Sequence, residues 1–256
     1  MRIPFIKKAS LIPDVYKDVS FVKPDRINAF TDRWARQYGK TYCLDIGVGN
    51  DNAELFTTVD IDPECKPDIV GDIRCLFAPS DYYADMKKDY PDLRKLETGS
   101  FMYIRVKHII EHIEWIYQQA LFDWLGSMLG NGGLLEIDTP NLAYIAKIYL
   151  AGSTRQGLGA MPKFPANEHN DLRQSESSDL QRWVNFKLFS GCSPGDYHHA
   201  CFDAFRLCDL LKKHKFERIS IYNGSSLRSI AFRSEDRSVD LDSIISDYIG
   251  EEGANA

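Results

Sequence analysis

The chain alternates between short apolar runs and polar segments that contain glycine, proline or aspartate. Apolar runs of about four to eight residues, bounded by turn residues, are typical of strands that are buried on both faces of a sheet. This pattern predicts strands at 41–46, 56–61, 101–106 and 134–137, with a stub of strand at 69–70.

Three other segments are predicted to be helices, and the longest repeats its apolar residues at mostly three- and four-residue steps, as an amphipathic helix does. The first is 27–38, which should end at Gly39, and the last is 205–214. The longest predicts one helix from about Ile113 to a close near Gly130, with a turn at 131–133. Its apolar stripe consists of Ile113, Ile116, Ala120, Leu121, Trp124 and Met128.

Strands that alternate with turns and helices favour an α/β fold with a parallel sheet, whose ligands bind at the carboxyl ends of the strands. Two further apolar runs, 217–222 and 227–232, flank Asn223-Gly224 and predict an antiparallel hairpin at the end of the sheet. The predicted organisation is a helical or irregular extension at 1–40, one domain at 41–233 and a tail at 234–256. Within the domain, 152–197 is too long for a plain connection and is interpreted as a lid or acceptor loop.

The composition disfavours several classes of protein, namely nucleic-acid-binding, membrane and secreted proteins. The 256 residues carry a net charge of −6, which disfavours general binding to nucleic acid. No apolar run reaches the roughly 18 residues of a membrane helix, and no signal peptide is evident at the start. The six cysteines have irregular spacing without a CxxC pair, so we expect reduced thiols and a cytoplasmic protein that does not bind membranes.

A glycine loop, DIGVGN at 45–50, follows the first strand of the domain. Gly47 and Gly49 would let the backbone approach a ligand closely, and Asp60 or Asp62 at the end of the next strand could accept hydrogen bonds from ribose. Only 15 residues separate Asp45 from Asp60, too few for the crossover helix that would hold a pyrophosphate. The loop therefore favours a nucleoside ligand without phosphates over NAD, and a plain glycine turn between buried strands is the alternative.

Five motifs occur in a characteristic order: DIGVGN, VDIDP, VGDIRCL, HIIEHI and LGNGGLLEIDTPNL. Together they resemble class I S-adenosylmethionine-dependent methyltransferases, and above all the small predicted methyltransferases whose glycine loop leads directly to the second strand. The resemblance covers about 41–148 and returns at 190–232. It implies a Rossmann-like, mostly parallel seven-stranded sheet closed by the C-terminal hairpin. It also implies S-adenosylmethionine as cofactor and methylation of a small-molecule or glycan-like acceptor, with oxygen as the expected target.

The resemblance also implies where the cofactor lies. Its methionine part would contact the glycine loop, with the ammonium near Asp45, and its ribose diol would bind Asp60. The adenine would meet Asp72 and the backbone beside it, and His108 would lie beneath the sulfonium. The implied cofactor contacts are Asp45, Gly47, Val48, Gly49, Asp60, Ile61, Asp72, Ile73, His108 and Ile109.

Histidines supply the candidate catalytic groups. In HIIEHI, His108, Glu111 and His112 would share one face of a helix that began there. His112 or His108 could then take a proton from the acceptor; alternatively, Glu111 and His112 cap and orient the first helical turn. Further along, His199 or its neighbour His198 is expected in the acceptor pocket, unless the pair is only a surface loop.

No metal site is expected from these patterns. HIIEHI is similar to the metal-binding motif of small-RNA 2′-O-methyltransferases, but His108 stands where that motif has a glutamate. The run CSPGDYHHAC lacks the spacing of a structural zinc site. Two other functions stay open: a nucleic-acid methyltransferase, although TPNL at 139–142 lacks the aromatic that would hold a flipped base, and a non-catalytic protein that only binds the cofactor.

Overall fold

A computed structural model describes residues 16, 19–47, 54–154, 184, 187–189 and 197–233. These residues form one eight-stranded sheet in the order β1-β7-β8-β6-β5-β2-β3-β4. Val48, Gly49, the predicted tail at 234–256 and most of the predicted lid lie outside the described residues. The strands are β1 Ser20–Phe21, β2 Cys43–Ile46, β3 Thr57–Asp60, β4 Ile69–Val70, β5 Phe101–Lys107, β6 Leu129–Pro140, β7 Phe216–Asn223 and β8 Ser226–Arg233.

Helices pack against this sheet, and none in the described part of the chain is long and apolar enough to cross a membrane. Their bounds are α1 Pro24–Tyr38, α2 Arg74–Phe77, α3 Asp81–Met86, α4 Gln118–Met128, α5 Leu142–Thr154 and α6 Ala204–Lys213.

The topology confirms the predicted fold class. Strands β4, β3, β2, β5 and β6 are parallel neighbours, and β8 lies antiparallel between β6 and β7. The chain has a Rossmann-like α/β fold whose sheet ends in an antiparallel C-terminal hairpin. The predicted count of seven strands was short by one, because the two residues of β1 pair with β7 at the sheet edge. A strand of two residues leaves no periodic signal in the sequence.

Helix α1 covers one face of the sheet. Its buried residues Ile27, Phe30 and Trp34 recur at helical spacing, and the Trp34 indole donates a hydrogen bond to the carbonyl of Met102 at 2.9 Å. The helix ends at Gly39, as predicted, where a φ of 70° breaks the helical conformation. The hydrogen bond from Trp34 anchors α1 to β5.

The long helix predicted from Ile113 to Gly130 was wrong in its first part. Ile113 and Glu114 are extended, and α4 begins only at Gln118. The buried Gln118 amide donates to the carbonyls of Ile110 at 2.7 Å and Ile113 at 2.9 Å, which stabilises this break. Because the chain is extended at Ile113, the HIIEHI segment forms only a short helical turn at Ile110–His112 and is not part of α4.

The turn predicted at 131–133 was also wrong, since these residues belong to β6. Phe101 pairs with Leu129 and Tyr103 pairs with Leu134, so β6 carries extra residues between two points of regular pairing with β5. Gly132 at a φ of 75° sits within this bulge. The bulge lies at the start of β6, at the end of the sheet opposite the carboxyl ends of the parallel strands.

Candidate functional site

A cavity of about 450 Å³ opens at the carboxyl ends of the neighbouring parallel strands β2, β3, β4 and β5. Ligands of open α/β sheets bind at this edge, and the volume is in the usual range for small-molecule sites. The lining residues are Ile46, Gly47, Val59, Asp60, Ile61, Asp62, Gly71, Asp72, Ile73, Arg74, His108, Ile109, His112 and Ile113. Most of the implied cofactor contacts that the structure describes are therefore gathered in one place.

Gly47 ends β2 in a conformation that favours glycine, with a φ of 78°. Its N–H donates to the carbonyl of Val59 at 2.9 Å, which ties the start of the glycine loop to β3. A Cβ at this position would collide with the side chain of Ile109 and would lie 3.2 Å from the carbonyl oxygen of Lys107. The backbone of Gly47 thus reaches the cavity only because it lacks a side chain.

Asp60 ends β3 and lies beside the cavity. One carboxylate oxygen accepts a hydrogen bond from the N–H of Asp62 at 2.9 Å, which fixes the side chain at the turn. The Asp60 carbonyl accepts from Gly71 at 2.8 Å, so β4 is held against the same corner. Ile61, half exposed, places apolar surface next to this carboxylate. A hydrogen-bond acceptor next to an apolar side chain suits a nucleoside, whose ribose hydroxyls donate hydrogen bonds and whose flat base packs on apolar surface.

Asp72 and Ile73 also line the cavity, but Asp72 already has a partner. The carboxylate is 4% exposed and accepts from the guanidinium of Arg74 at 2.8 Å and from its backbone N–H at 2.9 Å. Arg74 lies over the ring of Tyr83 and near Glu114, at 3.5 Å. Sequence reasoning missed Arg74, although an arginine two residues after an aspartate that closely follows a strand was a visible signal.

The structure does not bring Asp45 to the cavity. Its side chain lies on the face of the sheet covered by α1, 1% exposed, and forms a two-point ion pair with Arg105 on the next strand. Burial raises the pKa of Asp45, and the Arg105 hydrogen bond opposes that shift. Asp45 therefore belongs to a polar row across the sheet, continued by Glu136 with Arg228.

His108 and Ile109 follow β5, and both line the cavity. His108 has a φ of 50°, unusual for a residue with a side chain, and its N–H donates to the carbonyl of Asp138 at 2.8 Å. Its Nδ1 lies 3.1 Å from Oε1 of Glu111, a hydrogen bond that raises the pKa of His108. A carboxylate thus orients an imidazole that is 60% exposed at the cavity wall.

His112 lines the cavity next to His108, and its ring lies 4.8 Å from that of His198, measured between centroids. The backbone N–H of His199 donates to the carbonyl of Glu111 at 2.7 Å, which brings the 197–200 segment to this wall. The His199 side chain is exposed and is not among the lining residues. The two adjacent histidines point differently, and nothing in the sequence distinguishes them.

Solved structures of methyltransferases resemble this fold. One is 1,6-didemethyltoxoflavin-N1-methyltransferase from Burkholderia thailandensis with bound 1,6-didemethyltoxoflavin and S-adenosylhomocysteine. It shares 11% identity, with 83% of this chain and 79% of that chain covered and a TM-score of 0.42. Another is phosphoethanolamine N-methyltransferase 2 from Haemonchus contortus in complex with S-adenosyl-L-methionine, at 14% identity, 83% and 53% coverage and a TM-score of 0.44.

A possible exported protein from Bordetella parapertussis is similar at 13% identity, with 82% and 67% coverage and a TM-score of 0.42. The chain spans only about half the length of the H. contortus enzyme. No protein-family model and no curated protein matches the chain. All three similarities are low in sequence identity.

Proposed function

We propose that the protein binds S-adenosylmethionine and transfers its methyl group to a small-molecule or glycan-like acceptor, with oxygen as the target atom. The observation that carries this proposal is the cavity, which combines a bare glycine backbone at the end of β2 with a carboxylate at the end of the neighbouring β3.

The described residues fit the separate parts of this cofactor. Asp60 would accept hydrogen bonds from the ribose diol, and the half-exposed Ile61 would cover one face of the adenine. The Asp72 carboxylate already accepts a hydrogen bond from Arg74. It would therefore act on the adenine mainly by holding Arg74 in position. Gly47 would face the methionine part, together with Val48 and Gly49, for which the same contact stays a prediction.

The cavity wall contains side chains that could accept a proton from the acceptor. When bound, S-adenosylmethionine supplies an electrophilic methyl group, and an acceptor hydroxyl loses its proton as it is methylated. The imidazoles of His108 and His112 both line the cavity, and either could take that proton at Nε2. Glu111 holds the ring of His108 through Nδ1, so its orientation is already set. Positioning of the acceptor in line with the methyl group would supply much of the remaining rate enhancement.

Two further observations bear on the location of the protein and on the class of its acceptor. The five cysteines in the described part of the chain, Cys43, Cys65, Cys75, Cys201 and Cys208, are free thiols, which fits the proposed cytoplasmic location. The net charge of −6 favours a small acceptor over a nucleic-acid backbone.

Transfer of labelled methyl groups tests the function. The protein is incubated with methyl-labelled S-adenosylmethionine and, in separate reactions, with small sugars and glycans, RNA or DNA. We expect label in the sugar or glycan fraction, as an ether stable to mild base. Label found only in RNA or DNA would show that the acceptor is a nucleic acid and not a sugar or glycan. Cofactor binding without transfer in any fraction would favour the non-catalytic alternative.

A further inference from the structure

Three side chains with metal-ligating atoms meet at one wall of the cavity. The ligand atoms of Glu111, His112 and His198 all lie within 4.8 Å of one another. Glu111 and His112 follow β5, whereas His198 comes from a segment more than 80 residues later. The fold brings them together by backbone hydrogen bonds, because the N–H groups of His199 and Ala200 both donate to the carbonyl of Glu111, at 2.7 and 3.1 Å.

Both imidazoles are held in the tautomer that a metal ligand needs. Nδ1 of His112 lies 3.2 Å from the carbonyl oxygen of Tyr197, and Nδ1 of His198 lies 3.2 Å from that of Lys187. A carbonyl oxygen only accepts hydrogen bonds, so each Nδ1 must carry the hydrogen. In the neutral rings, the lone pair is then on Nε2. A backbone carbonyl is one of the usual partners of the second nitrogen in a metal-binding histidine.

The carboxylate of Glu111 is also oriented by hydrogen bonds. Glu111 is 1% exposed, and its Oε2 accepts a hydrogen bond from the Thr139 hydroxyl at 2.9 Å, while its Oε1 faces Nδ1 of His108. A buried carboxylate is costly unless positive charge compensates it. A cation between Glu111 and the two Nε2 atoms would supply that positive charge.

We propose that Glu111, His112 and His198 form a site for one divalent first-row transition-metal ion. Two imidazoles and one carboxylate are ligands of zinc, iron and manganese, and three protein ligands leave positions open for water or substrate. Three donors that share one ion at about 2.1 Å lie about 3.4 Å apart in a tetrahedral arrangement, so the longest separation, within 4.8 Å, has to close by up to about 1.4 Å. The proposal departs from the absence of metal expected from motif spacing, because spacing does not show that His198 faces Glu111.

The open position of the ion would face the cavity, since His112 belongs to its lining. There the ion would hold an oxygen of the acceptor and ease loss of its proton, leaving His108 as the proton acceptor. This step rests on the proposed function and specifies an acceptor with an oxygen that can bind a metal. Binding of the ion itself does not rest on it.

Metal titration of the full chain tests the site. The protein, freed of metal with a chelator, is titrated with Zn²⁺ and Mn²⁺ by calorimetry and with Co²⁺ by absorption spectroscopy, without cofactor. We expect one ion per chain, with micromolar or tighter affinity for at least one metal. His112→Ala and His198→Ala should each weaken binding at least tenfold. His199→Ala is the matched control, because only its backbone contacts Glu111.

Absence of saturable binding would overturn the proposal, as would binding that is unchanged in both ligand variants or is lost equally in His199→Ala. Thermal melts in chelator show whether each variant is folded. A parallel titration with S-adenosylmethionine in chelator separates the two proposals, since cofactor binding without metal binding removes only this site.

Discussion

The guanidinium of Arg74 contacts both carboxylate oxygens of Asp72, with Nε 3.0 Å from Oδ1 and Nη2 2.8 Å from Oδ2. The two residues lie two positions apart at the turn after β4, on the adenine side of the proposed cofactor site. Asp72 is almost fully buried, so its charge depends on this partner. The pair therefore stabilises this part of the cavity wall. Because both oxygens of Asp72 already accept hydrogen bonds from Arg74, Asp72 is less available to a ligand than the VGDIRCL motif suggests.

Removal of Arg74 should destabilise the fold. Arg74→Gln leaves the buried Asp72 carboxylate without its guanidinium, and breaking a buried ion pair from one side costs about 3 kcal/mol of unfolding free energy. Chemical denaturation measures this change. Lys88→Gln is the control, because Lys88 and Asp85 form an exposed pair for which we expect no measurable change. Equal effects of the two substitutions would show that the pair does not stabilise this part of the cavity wall.

Asp60→Asn should weaken binding of S-adenosylmethionine by about tenfold or more, because hydrogen bonds to a charged group contribute about 1.5–3 kcal/mol. The asparagine oxygen can still accept from Asp62, so the turn should keep its shape. Calorimetric titration gives the affinity. Asp92→Asn, an exposed residue paired with Lys95, should bind like the wild type. Unchanged affinity in Asp60→Asn would remove Asp60 from the site.

Arg105→Met should lower stability without changing cofactor affinity. It leaves Asp45 buried and unpaired on the face under α1, away from the cavity lining. We expect a loss of about 3 kcal/mol in unfolding free energy. Affinity is measured at a temperature where the variant is folded. A large loss of affinity there would support the role toward the cofactor ammonium that the resemblance implies for Asp45.

His108→Gln should lower kcat while the affinity for S-adenosylmethionine stays within a factor of about three. The glutamine amide can still donate to Glu111, but it cannot take a proton from the acceptor. Proton transfer by a positioned side chain contributes about 10²–10⁴-fold to rate, and a loss in that range is expected. Wild-type turnover in this variant would show that His108 is not the proton acceptor.

The sequence predicted those features that depend on neighbouring residues. The strands at β2 to β5, the end of α1 at Gly39 and the hairpin around Asn223-Gly224 follow from local apolar patterns and turn residues. The cavity position follows as well, because parallel strands place their carboxyl ends at one edge. These elements required no knowledge of distant contacts.

Features that depend on distant partners could not be predicted in this way. The partner of Asp45 is Arg105, 60 residues away, and is set by strand register. The break before α4 depends on the amide of Gln118, which satisfies carbonyls that a continuous helix would have used. The position of His198 beside His112 depends on backbone hydrogen bonds to Glu111. Such contacts are tertiary, and the local pattern contains no trace of them.

Calorimetric titration with S-adenosylmethionine, S-adenosylhomocysteine and NAD tests the central claim most directly, in the wild type, Gly47→Ala and Gly39→Ala. Both glycines have a positive φ, but a Cβ would collide with Ile109 only at Gly47, and nothing lies within 4 Å at Gly39. We predict micromolar binding of the first two ligands and none of NAD, with binding lost in Gly47→Ala and kept in Gly39→Ala. No binding of S-adenosylmethionine, or equal binding by both folded variants, would contradict the assignment of the cavity as the cofactor site.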